Sequence, residues 1–230
     1  MSDIKFNSKS AETLAKWYLR LNGYFIVDNF IVHAGEDEGG ISGEIVGNHT
    51  ETDLLAVRFK FNEETSGITI PKDEEIVHGE NPLIDFLITE VKTGNANKLN
   101  SPWIKKPDFI ANYILRYAGF LEPDNVSDVA TQLAENGFYT DDNNNFAIRL
   151  VLISQTEANN QWKDKVTNIL FDNIIDYFVQ VWGMSWNGAG IGSASKHDQW
   201  DDLIRQVFHI ANDQTLEIEI RKQAVKDLLL

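Results

Sequence analysis

Leu83-Ile84-Asp85-Phe86-Leu87-Ile88-Thr89-Glu90-Val91-Lys92 is a run of apolar and β-branched residues that ends in an acid and a lysine two positions apart. In a strand, residues i and i+2 share a face. Ile84, Phe86, Ile88, Glu90 and Lys92 therefore form one row, with Leu83, Leu87 and Val91 on the other. Both rows are mostly apolar, the pattern of an interior strand. A carboxylate and an ammonium at the end of a buried row need partners or a task. Any partners must come from elsewhere in the chain.

Upstream, a second strand is predicted over Thr52 to Lys60, with Asp53, Leu55, Val57 and Phe59 on one face. An aspartate thus heads an otherwise apolar row. Before it, Tyr24 to His33 is rich in aromatic and β-branched residues and reads as a first strand. A first helix is expected up to about Asn22, capped by Ser8 or Ser10 and stopped by Gly23. Leu14, Trp17, Tyr18 and Leu21 form its core face. Glu12 lies on the flank shared with Ala15 and Leu19, where an acid in the first turn is also favoured by the helix dipole. The connections Gly35 to Thr50 and Phe61 to Pro82 read as acidic, exposed loops.

The chain has 230 residues, no cysteine and a net charge of −15. Disulfide frameworks, thiolate zinc sites and cysteine nucleophiles are excluded together. No apolar run is long enough for a membrane span and the N-terminus lacks a signal-peptide core, so a cytoplasmic protein with no membrane partner is expected. From Gly35 to Glu90 there are fourteen acids against Arg58, Lys60 and Lys72. Such a balance opposes non-specific polyphosphate binding, which relies on clustered cations. The five histidines lack metal-ligand spacing, and no G-x-S-x-G elbow is present.

After Lys92 the balance turns basic: Lys98, Lys105, Lys106 and Arg116 face only Asp108 and Glu122 up to residue 122, with Trp103 and Tyr113 interspersed. Pro107 suits the start of a helix reaching Ala118. Asp124 is expected to cap a helix through Val126, Val129, Ala130 and Leu133, ended by Gly137. Phe146 to Ser154 is a strong buried strand. Gln161 to Val181 reads as a long helix, with a break allowed at Ile169-Leu170-Phe171. Trp182 to Ser195 is a glycine-containing loop, and another helix is expected from His197 through Trp200, Leu203, Val207 and Phe208. Leu216, Ile218 and Ile220 alternate like a strand, although the last fifteen residues fit a helix equally well.

A helix carrying Glu12, two strands of which the second begins at Asp53, and a strand ending Glu90-Val91-Lys92 resembles the PD-(D/E)xK nuclease superfamily. The likeness covers about the first hundred residues plus a later helix and strand. Thr52, not proline, precedes Asp53. The resemblance implies an α/β fold with a restriction-endonuclease-like αβββαβ core, a mixed central sheet flanked by helices, and helical elaborations. One domain over 1–230 would then carry a helical insertion at 93–145 and a C-terminal extension at 183–230. It implies a metal-dependent endonuclease, acting on DNA with RNA as an alternative, in which Asp53, Glu90 and Lys92 are catalytic. Asp53, Glu90, the Val91 carbonyl and, as a further donor, Glu12 would hold Mg2+ or Mn2+. Hard cations take such oxygen ligands, and one would polarise the scissile phosphate and acidify a water. Lys98, Lys105, Lys106 and Arg116 are candidate nucleic-acid contacts, and a homodimer is compatible with the reading. The competing expectation is a non-catalytic interaction or nucleic-acid-binding protein on an inactive nuclease-like fold.

Overall fold

Helix α1 (Ser8–Leu21) forms where the apolar spacing places it, but its cap is Asn7, whose side chain accepts the Ser10 N–H at 3.2 Å. Neither Ser8 nor Ser10 takes that place, because the asparagine one residue earlier already supplies the oxygen. The computed structural model describes residues 5–33, 49–61, 71–77, 82–100, 103, 105–143, 145–183 and 201–230. The acidic loop expected between Gly35 and Thr50 and the glycine loop from Trp182 to Ser195 lie almost wholly outside these residues, as does the start of the helix expected from His197.

Strands β1 (Phe25–His33), β2 (His49–Phe59) and β3 (Ile84–Lys92) pair antiparallel in that order. Helices α2 (Pro107–Ala118) and α3 (Val126–Asn136) then carry the chain over one face of the sheet. Strand β5 (Phe146–Ser154) runs parallel to β3. On its far side β5 meets two short strands, β4 (Phe138–Thr140) antiparallel near one end and β6 (Thr167–Leu170) parallel near the other. The result is a mixed six-stranded sheet flanked by helices.

Residue parity on the strands sorts the interior into two cores. Leu87 and Val91 of β3 and Val151 and Ile153 of β5 pack with α1, while Phe86, Ile88, Ile148, Leu150 and Leu152 pack with α2 and α3. Strand β1 departs from this parity. Ile26 faces the first core, yet Phe30 and Val32, also even-numbered, face the second. Asn29 between them adopts φ 53, a left-handed residue that turns the strand over.

Three expectations change. The segment from Gln161 is a turn followed by β6, and helix α4 (Phe171–Asp176) begins only after it, running on into a π-helical segment, Tyr177–Trp182. Trp162, Val166 and Ile169 fall at helical spacing, but Asn168 locks the segment to β5 by donating to the Leu152 carbonyl at 3.0 Å and to Ser154 Oγ at 2.9 Å. Asp124 caps nothing: it sits inside a 3-10 turn, Pro123–Asn125, ahead of α3. The connection from Phe61 to Pro82 is not simply exposed, since Ile76 is fully buried and Asp73 accepts the Tyr18 hydroxyl at 2.9 Å. At the C-terminus, α5 (Asp202–Asn212) is followed by helix α6 (Ile218–Asp227), so of the two patterns open there the helical one is adopted. Arg221 and Val225 are its buried face, and Leu229 is buried just beyond its end.

Candidate active site

Strand β3 keeps its partner β2 only as far as the pair Leu54↔Thr89, while its pairing with β5 runs on to Lys92↔Ser154. The two strands part where Asp53 and Glu90 would face each other. Asp53 shares the parity of Leu55, and Glu90 and Lys92 that of Phe86 and Ile88. All three acidic and basic side chains therefore project from the face of the second core, at the end of its apolar rows.

In the gap, the Asp53 carboxylate replaces the missing ladder bond by accepting the Val91 N–H at 2.6 Å. Lys92 Nζ donates to Glu90 Oε2 at 2.7 Å, stands 3.5 Å from Asp53 Oδ2 and lies 3.4 Å from the Val91 carbonyl. The structure thus brings together Asp53, Glu90, Lys92 and the Val91 main chain. Glu12, on α1, feels the charges of this site: its pKa is raised, first by burial, then by the charges of Asp53 and Glu51, with Lys92 opposing. Among the described residues, no three His, Cys, Asp or Glu side chains converge as a ready ligand set.

Glu90 is 1% exposed, and its carboxyl is pushed up to about 7. Burial is the main cause; Lys92 pulls the other way, and Asp53 adds to the rise. For Lys92, burial acts to lower the pKa, but the Glu90 and Asp53 carboxylates outweigh it and hold the amine above its ordinary value. Lys92 is therefore a cation at neutral pH, a donor rather than a proton acceptor.

Trp103 was not singled out as a site residue by the sequence. It is buried between Lys92 and α2, and its indole N–H helps to hold the Glu90 pKa down. The indole N–H acts on this carboxyl without meeting Glu90 Oε1 in full hydrogen-bond geometry, so both buried atoms keep unused capacity. Its only signal was an aromatic residue inside the basic stretch. Gln155, directly after β5, accepts from both the Phe6 and Gly94 N–H groups and fixes the chain beyond Lys92.

Lys98, Lys105 and Lys106 are exposed in the segment that carries Trp103, and Asn100 of that segment donates to the Glu51 carbonyl at 3.4 Å. The three lysines thus belong to the chain that crosses the rim of the site. Arg116 is different: it lies in the last turn of α2 and donates to Asn112 Oδ1 at 2.7 Å. No family model matches the chain, and searches of curated proteins and of solved structures find no match.

Proposed function

We propose that this chain is a divalent-metal-dependent phosphodiester hydrolase of the restriction-endonuclease-like type, an endonuclease acting on DNA. The observation that carries the reading is the convergence of Asp53 and Glu90 on one ammonium, Lys92 Nζ, at the point where two strands separate. Two carboxylates on adjacent strands, with a main-chain carbonyl beside them, form a hard oxygen donor set. Glu90 Oε1 is buried and met by no well-formed hydrogen bond, with the Trp103 indole N–H acting on the carboxyl from nearby, and so has capacity for a cation. Asp53, Glu90 and the Val91 carbonyl would hold Mg2+ or Mn2+, with Glu12 able to contribute from α1. The cation would supply charge neutralisation at the scissile phosphate and acidify the attacking water.

The chain's own residues then divide the remaining work. Lys92, held protonated by its two carboxylates, orients the attacking water and meets the charge that develops on the phosphate oxygens. Trp103 fills the space behind Glu90 and keeps bulk water from it. Lys98, Lys105 and Lys106 offer backbone phosphate contacts at the rim. Positive charge there offsets the acidity of the rest of the chain at the place where a nucleic acid would lie.

One observation favours a second reading, a non-catalytic interaction protein on the same framework. Lys92 already bridges both carboxylates, as a purely structural ion pair would. Calorimetric titration with Mg2+ and Mn2+ separates the two. The nuclease reading expects saturable binding that Asp53→Ala abolishes; no heat of binding for either ion, or binding unchanged in Asp53→Ala, favours the structural pair.

A further inference from the structure

Lys92 stands where its own site would take a cation. Its Nζ lies 2.7 Å from Glu90 Oε2, 3.4 Å from the Val91 carbonyl oxygen and 3.5 Å from Asp53 Oδ2, so one point meets three oxygens from two strands. These are the oxygens assigned above to Mg2+ or Mn2+. An ammonium and a hard divalent ion compete for them, because the first has three donors and no acceptor and the second is held by carboxylate and carbonyl oxygen. Both cannot use Glu90 Oε2 and Asp53 Oδ2 at once, since like charges on shared ligands repel strongly where little water screens them.

The parts differ in how firmly they are held. Glu90 is 1% exposed inside β3, and Asp53 is tied to the same strand by the 2.6 Å bond from the Val91 N–H. Lys92 is the last residue of β3, with its main chain paired to Ser154. Its side chain keeps 16% exposure, and a flexible four-carbon stem can turn outward without breaking that pairing. The oxygens are fixed and the ammonium is movable. Charge favours an exchange as well. Two ionised carboxylates against one ammonium leave one negative charge over, and Glu12, close enough to feel Asp53 and Lys92, adds to it. Two positive charges balance the pair.

We propose that Lys92 is a resident counter-cation which a divalent ion displaces, so that the metal-free chain holds its own catalytic lysine away from substrate. This control rests on the metal-dependent reading above: the ammonium is freed to meet a phosphate only when the site is loaded. The ion pair is then the resting state of the enzyme. Observed affinity for the ion falls with the fraction of molecules in which Lys92 is out, so a lysine that is out in about one molecule in ten weakens it about tenfold.

Two measurements on the full chain test it. In the wild type, reductive methylation followed by peptide mass spectrometry reads the reactivity of each amine at neutral pH. Lys92 is expected to label more slowly than exposed Lys98 without metal, and to gain on Lys98 when Mg2+ is added. Calorimetric titration with Mg2+ then compares the wild type with Lys92→Met at pH 9. Glu90, with its carboxyl pushed up to about 7, is ionised there, while Lys92, held above its ordinary value by the two carboxylates, is still a cation. The neutral methionine is expected to bind Mg2+ about tenfold tighter, the gain from removing the resident competitor. Equal or weaker binding by folded Lys92→Met overturns the proposal and leaves the metal site standing. So does a Lys92 labelling rate that stays unchanged while Mg2+ binds. Absence of Mg2+ binding in both proteins overturns the metal reading itself, and the displacement with it. Circular dichroism establishes that the variant is folded, and the labelling experiment needs no variant.

Discussion

Glu90→Gln isolates the electrostatic cost built into the carboxylate site. The glutamine keeps the shape and a hydrogen-bond acceptor for Lys92 but removes the buried charge. Glu90 has its carboxyl pushed up to about 7, against 4.5 for an unhindered glutamate, mainly because burial penalises the ionised form. The folded chain therefore holds this proton more tightly than the unfolded chain does. The stability associated with it is complete below pH 4.5, falls as pH rises towards 7 and is gone above that. A displacement of this size corresponds to a loss on the order of 3 kcal/mol between those limits. Glu12 is shifted in the same direction but is common to both proteins, so comparison of wild type with variant cancels it. Urea unfolding at steps from pH 4.5 to 8 should show the wild type losing ground to Glu90→Gln by that amount as pH rises. Parallel curves, or a wild type that gains on the variant, would show that the Lys92 ion pair outweighs burial and refute the reasoning.

Further outcomes follow from the other end of the sheet. Asp85→Asn leaves Arg149 charged and buried without its ionic partner, and a loss of about 3–5 kcal/mol is expected in urea unfolding. A loss under 1 kcal/mol would mean that water reaches the pair. Gly137→Ala must both place a side chain at positive φ and displace the Lys165 carbonyl, so destabilisation beyond the roughly 1–2 kcal/mol of the left-handed backbone alone is expected in urea unfolding. Unchanged thermal stability would contradict the close approach.

The strands that hold the site are long, and their two-residue period survives over enough positions to be read. Asp53, Glu90 and Lys92 stood out because each was a charge in an apolar row; parity puts Glu90 and Lys92 on one face, and the register of β2 on β3, which no single strand reveals, brings Asp53 to that face. Asp85, near the start of β3, and Arg149, inside β5, are also charges in apolar rows, yet nothing in one strand reveals that the charge on another will meet it. Short strands were invisible for a different reason. Phe138–Thr140 and Thr167–Leu170 are too brief to show a period, and Trp162, Val166 and Ile169 imitate a helix. Trp103 came to Glu90 through the fold of an irregular segment, which carries no period at all. The left-handed Asn29 reverses the facing of β1 with no sign beyond being an asparagine.

Cleavage of supercoiled plasmid tests the central claim most directly. Purified chain with Mg2+ or Mn2+ is expected to nick or linearise the DNA, and chelation is expected to stop it. Asp53→Ala should abolish the activity, and Lys92→Ala should lower it by about a hundredfold, the scale for loss of one charge-stabilising donor. No cleavage with either ion, or equal cleavage by the wild type and both variants, would contradict the account.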